Sequence, residues 1–421
     1  FNRHVEENMN TDTRKMILVT VLCGLGYMMY SVDRMTVSSA IGLIAAEFGL
    51  DKGESGILLS SFFFGFIVFL FIAGIIADKL SGKPVLILGL MLFSFATLLT
   101  GVAGSLTSLI FYRVMTGVGE GIFWPAASLE VANVTSEKQR TTVMSLYWMG
   151  YPIGGFLGTW MGAVLGPVFG WRVVFYVAGA MGILVALLYA FLVKNDRKPA
   201  DLVARQAAEK VPLRTLFRHA PVMMMALYYF ILLAGWWIVL LWAPSYLMQV
   251  KNLIIGTAGT IASLLGLTGA LGGFVLGRYC DKGDFLRRRH ILMAITIVSG
   301  FLMAAMTLNL SVPLVIMLVM LLGFLGYPIT PIVLSITAEL VPPSLRGSAI
   351  GFVMNMGMAA GGISPIVAGY FAQQYTLQPV WLAAAAVILA SSLVLPVVRK
   401  LAVTTVNNAD DPLPVGQQLK H

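Results

Sequence analysis

A chain of 421 residues that is 58% hydrophobic and 11% charged is not a water-soluble globule, which carries roughly 25% charged residues. The formal net charge is +9, but in so apolar a chain the placement of lysine and arginine says more than their sum, and no nucleic-acid partner is expected. Forty-three glycines and 23 methionines fit membrane helices, whose close contacts need small residues.

Twelve apolar runs follow in chain order, each long enough to cross about 30 Å of hydrocarbon at 1.5 Å per residue. They lie near 16–44, 55–78, 84–104, 107–130, 141–166, 172–193, 221–249, 256–277, 290–308, 312–338, 346–372 and 378–398. Continuous apolarity excludes β-barrel strands, which alternate over about ten residues. No segment reads as a cleaved signal peptide. The two cysteines, Cys23 and Cys280, offer no disulfide framework.

Charge placement orients the chain. With both termini inside, the tails and the even-numbered connections hold 23 of the 28 Lys/Arg, and the opposite connections hold only Lys52, Arg172 and Lys251. Arg34 and Arg113 lie within spans. The positive-inside rule therefore predicts twelve transmembrane helices with both ends cytoplasmic. The expected organisation is a tail over 1–15, a six-helix bundle over 16–193, a cytoplasmic linker over 194–220, a second six-helix bundle over 221–398, and a tail over 399–421. The linker carries ten charges, from Lys194 to Arg218, and reads as partly amphipathic helix.

The two bundles repeat. Gly74, Asp78 and Lys79 after span 2 recur 203 positions on as Gly277, Asp281 and Lys282 after span 8. Gly117, Pro125 and Arg140 recur 206 positions on as Gly323, Pro331 and Arg346. Two parallel six-span repeats place a substrate site between the halves, near the membrane midplane.

Six plus six spans with a G-x-x-x-D-[RK] loop in each half resemble the major facilitator superfamily over nearly the whole chain. The first loop departs from the family's commonest form by holding Lys79 for Arg and placing Gly82 one residue late. The resemblance implies that Asp78, Lys79, Asp281 and Lys282 lock helix ends during alternating access. Glu130 and Glu339, near the cytoplasmic ends of spans 4 and 10, and Arg140 and Arg346 beyond them, are grouped with these as gating candidates.

Within span 4, Arg113-Val-Met-Thr-Gly117-Val-Gly-Glu120-Gly121-Ile-Phe-Trp124-Pro125 resembles the R-x-x-x-G-x-x-E-[GA]-x-x-x-P of the anion:cation symporter branch, which includes sialin and bacterial hexonate transporters. Tyr30-Ser-Val-Asp33-Arg34 is similar to the branch's Y-x-D-R, with the tyrosine one residue early, so that tyrosine's role is not carried over. Trp242-Ala-Pro244-Ser-Tyr246-Leu247 in span 7 and Asn355-Met-Gly357 followed by Gly361, Pro365 and Gly369 in span 11 point the same way.

Ionisable groups within a span cost at least a few kcal/mol each, so they face a wet cavity or one another. The mid-span set is Asp33, Arg34, Arg113 and Glu120, all in the first half. Arg113 and Glu120 are seven apart, about 10.5 Å along one helix face. Asp33 and Arg34 are neighbours and diverge by about 100°. If spans 1 and 4 adjoin, Arg34 is placed to reach Glu120. A buried ion-pair network that only holds those spans together is the competing reading.

On the functional reading, Arg34 and Arg113 contact a substrate carboxylate, since a guanidinium fork matches it bidentately. Glu120 carries a proton and alternates with substrate for an arginine, and Asp33 is the second proton site. With both acids ionised the quartet sums to zero, so an entering anion is neutralised by one proton. If both acids protonate, one net charge moves. The resemblance implies the same positions.

Tyr27, Trp124 and Tyr151 are further substrate-contact candidates at midspan depth. Mid-span amides are scarce, and Asn355 is the clearest. A polyhydroxylated anion would leave hydroxyls unpaired at about 1–3 kcal/mol each, so an anion with an apolar or aromatic body is expected, with Asn355 as a hydrogen-bond candidate.

The predicted activity is therefore proton-coupled symport of an organic anion, with no cofactor or metal and sodium as the other coupling ion to test. The rival is a lysolipid or drug exporter driven by proton exchange, because spinster-type transporters also show an Asp-Arg pair in span 1 and Gly-Glu in span 4. An enzyme is not expected: no mid-span His, metal-ligand cluster or P-loop is present. By resemblance the chain belongs in a bacterial inner membrane, in contact with lipid and working as a monomer.

Overall fold

The computed structural model describes residues 2–79, 82–136, 139–194, 216–217, 219–281, 285–342 and 345–408, and all of its regular structure is helical. In chain order the helices are α1 Asn2–Phe48, α2 Lys52–Lys79, α3 Gly82–Thr100, α4 Leu106–Asn133, α5 Arg140–Trp148, α6 Gly150–Val164, α7 Gly166–Phe169 and α8 Trp171–Leu192. They continue with α9 Ala220–Val250, α10 Ile255–Asp281, α11 Phe285–Ala305, α12 Val312–Gly326, α13 Ile329–Glu339, α14 Arg346–Tyr375, α15 Leu377–Ser391 and α16 Val394–Asn408. Most of the expected linker and the end of the C-terminal tail lie outside the described residues.

Three of the expected runs are broken, and each break has a local cause. The fifth divides at Met149, where Pro152 has no N–H to return to the preceding turn. The tenth divides around Tyr327 and Pro328, with Pro331 following. The twelfth divides at Ser392 ahead of Pro396, and the Ser391 and Ser392 hydroxyls donate to Ile388 O (2.7 Å) and Leu389 O (2.6 Å). Among the described residues, ten helical stretches are long and apolar enough to cross a membrane. The expected spans that do not qualify are the fourth, which carries Arg113, Glu120 and Glu130, and the divided fifth.

The chain forms two compact units, Phe1–Gly49 with Ser61–Ala208 and Leu50–Ser60 with Glu209–His421. In the first, α1 packs on α6 and α8, and α3 packs on α4 and α8. In the second, α9 packs on α14 and α15, and α11 packs on α15. The repeat reaches single atoms. A Cβ at Gly117 would stand 1.9 Å from Phe62 O, and one at Gly323 would stand 2.4 Å from Leu265 O. Backbone conformation repeats too: Gly170 before α8 has φ 86° and ψ 144°, and Thr376 before α15, 206 positions on, has φ 81° and ψ 174°.

Glycines at every fourth position of α6 set its distance from α1. A Cβ at Gly150, Gly154 or Gly158 would come within 2.2–2.4 Å of the α1 carbonyls of Gly24, Met28 and Val32. Only glycine lets the two backbones meet this closely.

The three basic residues that the charge count leaves apart from the rest are each occupied by a backbone carbonyl. Arg172 donates to Ala103 O (3.1 Å), Lys52 to Ala372 O (3.2 Å) and Lys251 to Leu308 O (2.6 Å). Arg172 also pairs with Glu47 at 2.6 Å, and the Trp171 indole donates to the same carboxylate oxygen. Such cations satisfy carbonyls at helix ends and complement the helix dipole.

Candidate functional site

The site is built on α4. Ser105 and Ser108 bond reciprocally in a capping box that fixes where the helix begins. Two turns separate Arg113 from Glu120, and the glycines between them bring neighbouring backbones close. Gly117 abuts Phe62 of α2, and Gly119 abuts Phe93 N of α3, 2.4 Å from where a Cβ would stand.

Neighbours on α1 take opposite partners on α4. Arg34 Nη2 donates to Glu120 Oε2 and, at 2.5 Å, to the Tyr30 hydroxyl one turn back. Arg113 Nη1 donates to Asp33 Oδ2 at 2.7 Å. The other oxygen of Asp33 accepts from Thr97 Oγ1 of α3 at 2.6 Å. All four charged side chains are buried, none more than 2% exposed. Ions so far from water persist only when paired, and removing one partner of a buried pair costs about 3–5 kcal/mol.

The Phe62 ring serves both cations. Its centroid is 4.2 Å from the Arg34 guanidinium carbon and 5.4 Å from that of Arg113. Tyr30 lies 4.3 Å from Arg34 on the same criterion. Cation–π contacts of this kind are worth up to about 2 kcal/mol each when desolvated. The two acids differ: both Asp33 oxygens are bonded, whereas Glu120 Oε1 is buried without a protein partner among the described residues.

The geometry therefore brings Asp33, Arg34, Arg113 and Glu120 together, with Arg34 reaching Glu120 across the α1–α4 contact. Tyr151 bonds Arg34. Tyr27 stacks on Tyr147 at 5.0 Å and lies 5.4 Å from Tyr151. Trp124 is half-buried, and its carbonyl accepts from Ser128. Asn355, in the second unit, is buried; its Nδ2 donates to Gly351 O at 3.1 Å and its Oδ1 has no partner among the described residues.

Sequence reasoning missed Thr97 and Phe62, and it set Tyr30 aside. The spacing of four between Tyr30 and Arg34 was a usable signal, because residues so spaced share a helix face. Thr97 and Phe62 sit in apolar runs, where nothing distinguishes them from lipid-facing or packing residues.

The second unit has no comparable charges at the matching places. Trp236 stands 203 positions after Asp33, and Gly326 stands 206 after Glu120. There the Trp236 ring lies against Gly326, 2.3 Å from where a Cβ would be.

The sequence matches the Major Facilitator Superfamily over residues 23–328 and again over 255–417. The chain belongs to the major facilitator superfamily. A probable sulfoacetate transporter of Cupriavidus necator is 30% identical over 86% of this chain and 88% of its own length. A D-galactonate transporter of Escherichia coli is 28% identical over 91% of this chain and 95% of its own length. A bacterial homologue of the lysosomal transporter Spinster shares the fold, with a TM-score of 0.71 over 92% of this chain and 96% of that one at 18% identity. This member of the superfamily is thus a multi-pass membrane protein among anion transporters, and not an enzyme.

Of the gating candidates, Glu339 at the end of α13 pairs with Arg288 of α11, and Arg288 Nη1 also donates to Ser335 Oγ at 2.9 Å. Arg288 belongs to the Arg287–Arg289 run and was not singled out as a site residue. Glu130 accepts from the Tyr189 hydroxyl at 3.3 Å. Arg346 begins α14, and its Nε is buried without a partner among the described residues. Asp78, Lys79, Arg140 and Asp281 lie in α2, α5 and α10 with side chains outside the described set, and Lys282 lies outside the described residues.

Proposed function

We propose that this chain is a secondary active transporter that carries a small organic carboxylate together with protons by alternating access. Its place is the cytoplasmic membrane of a bacterium, with both termini cytoplasmic and the monomer as the working unit. The observation that carries the reading is the buried quartet in which Asp33 and Glu120 each neutralise one arginine.

Protonation of Glu120 removes the charge that opposes Arg34, and protonation of Asp33 removes the one that opposes Arg113. A guanidinium released from its acid is a fork for a substrate carboxylate. An anion beside the quartet in turn favours the protonated acids, because like charges at low dielectric repel. Proton uptake and anion binding therefore reinforce each other. Relatives named for sulfoacetate and D-galactonate support an organic acid as the cargo.

Asn355, Tyr27, Trp124 and Tyr151 are assigned to the body of the substrate. Among the described residues Asn355 is the only buried side-chain amide, which favours an anion with an apolar or aromatic body over a polyhydroxylated one. Asp78, Lys79, Asp281, Lys282, Glu130, Arg140, Glu339 and Arg346 are assigned to gating.

The test is proton entry into proteoliposomes loaded with a pH-sensitive dye, on addition of sugar, aromatic and short-chain carboxylates, with and without sodium. Acidification by one class, absent in Glu120→Gln and indifferent to sodium, is the expected result. If the folded protein moves protons with none of them, the symport reading fails and lysolipid or drug export is tested next.

A further inference from the structure

Thr97 Oγ1 lies 2.6 Å from Asp33 Oδ1 and 2.8 Å from the carbonyl oxygen of Phe93, one turn back in α3. A threonine hydroxyl has one proton to give and two lone pairs to receive with. Against an ionised carboxylate and a carbonyl, both pure acceptors, it satisfies only one of the two contacts. If Asp33 carries a proton on Oδ1, both become hydrogen bonds: Asp33 donates to Thr97 and Thr97 donates to Phe93 O.

We propose that Thr97 is a positioning residue that lets Asp33 hold or release a proton without either form losing its hydrogen bond, by turning its hydroxyl between Asp33 Oδ1 and Phe93 O. The inference rests on the proton-coupled reading above and deepens it. When Asp33 is ionised, the hydroxyl donates to Oδ1. When a proton arrives on Oδ1, it points at the Thr97 oxygen, and the threonine's own proton swings to the carbonyl. No proton is lost or gained by Thr97 in either direction.

The resting arrangement costs nothing special. Thr20, Thr36, Thr100, Thr116 and Thr135 each donate to the carbonyl four residues back, the ordinary position of a helical threonine. What sets Thr97 apart is a carboxylate oxygen within reach of the same hydroxyl. Asp33 Oδ2 accepts from Arg113 Nη1 while the acid is ionised, and when protonation frees Arg113 for substrate the bond to Thr97 is what keeps the acid in place.

The remaining groups around Asp33 do not substitute for this hydroxyl. From α4 come Arg113 on the other oxygen and Glu120, whose charge bears on Asp33 but whose bond goes to Arg34. On α1 itself, Arg34 is bonded to Glu120 and Tyr30. Tyr151 of α6 is bonded to Arg34 and Tyr147 of α5 to Ser128. From α8, Tyr189 bonds Glu130, Tyr176 bonds Gly101 O and Arg172 pairs with Glu47.

The test compares Thr97→Val, which keeps the shape and removes the hydroxyl, with Thr97→Ser, which restores it. Infrared difference spectra of the reconstituted protein across a pH titration need only protons as probe, and Asp33→Asn identifies the Asp33 band. The expected result is that Thr97→Val displaces the Asp33 bands of both forms, each having lost its bond to the hydroxyl, while Thr97→Ser matches the wild type. Asp33 bands unchanged in folded Thr97→Val overturn the proposal, as does a Thr97→Ser that behaves like Val. The two readings fail separately. If the Asp33 band depends on Thr97 but no carboxylate moves protons in wild-type proteoliposomes, symport is wrong and the threonine switch stands.

Discussion

Arg34 and Glu120, 86 positions apart, form a buried ion pair, while Asp33, the residue next to Arg34, pairs with Arg113 instead. Adjacent side chains on one helix are thereby committed to opposite partners on another. Each pair has its own acid, so each is addressed by its own substitution.

Glu120→Gln keeps the shape and most of the hydrogen bonding of the glutamate but has no charge to lose. Proton-driven accumulation of the carboxylate found by the dye assay should fall at least about tenfold, a loss of about 1.4 kcal/mol or more. Counterflow exchange of that same carboxylate, which needs no net proton movement, should stay within a few-fold of wild type.

Arg113→Lys and Arg34→Lys keep the charge and lose the fork. A charged hydrogen bond is worth about 1.5–3 kcal/mol, so the KM for transport should rise about 10–100-fold in either variant. An unchanged KM would leave the arginines as helix ties only.

Gly158→Leu would drive a side chain into Val32 O, 2.4 Å from the first added carbon, on the helix that bears Asp33 and Arg34. The expected result is loss of the monodisperse, heat-stable protein in detergent. Gly273→Ala, within α10 and with nothing within 4 Å of the added carbon, should stay monodisperse and melt no lower than wild type, since alanine favours a helix interior over glycine by about 0.5–1 kcal/mol.

Thr376→Gly should stabilise. A β-branched residue at φ 81° is strained by about 1–3 kcal/mol, and glycine adopts that backbone freely. Its counterpart already is glycine, so Gly170→Thr should destabilise by a similar amount. Thermal unfolding of the two variants should shift in opposite directions.

Membrane class, repeat and charged quartet were legible because each is written in composition or spacing: apolar runs, offsets of 203 and 206, and ions where ions are costly. The pairing of Arg34 with Glu120 was legible too, since adjacency sends Asp33 and Arg34 to different sides of α1. The second bond of Asp33 was not. Thr97 looks like any threonine in an apolar helix, and only the approach of α3 to α1 brings its hydroxyl to a carboxylate. The divided spans carried a visible sign in Pro152, Pro328 and Pro396, but membrane helices tolerate proline where neighbouring groups satisfy the freed backbone, and those contacts are not written in the sequence.

Trp236 against Gly326 gives the duplication an uneven outcome. Of the two copies, only the first keeps acids and arginines at these places. An indole now fills the volume where a second acid would stand, and a glycine yields it the space. Saturation of the purified protein with its cargo should accordingly end at one molecule per polypeptide.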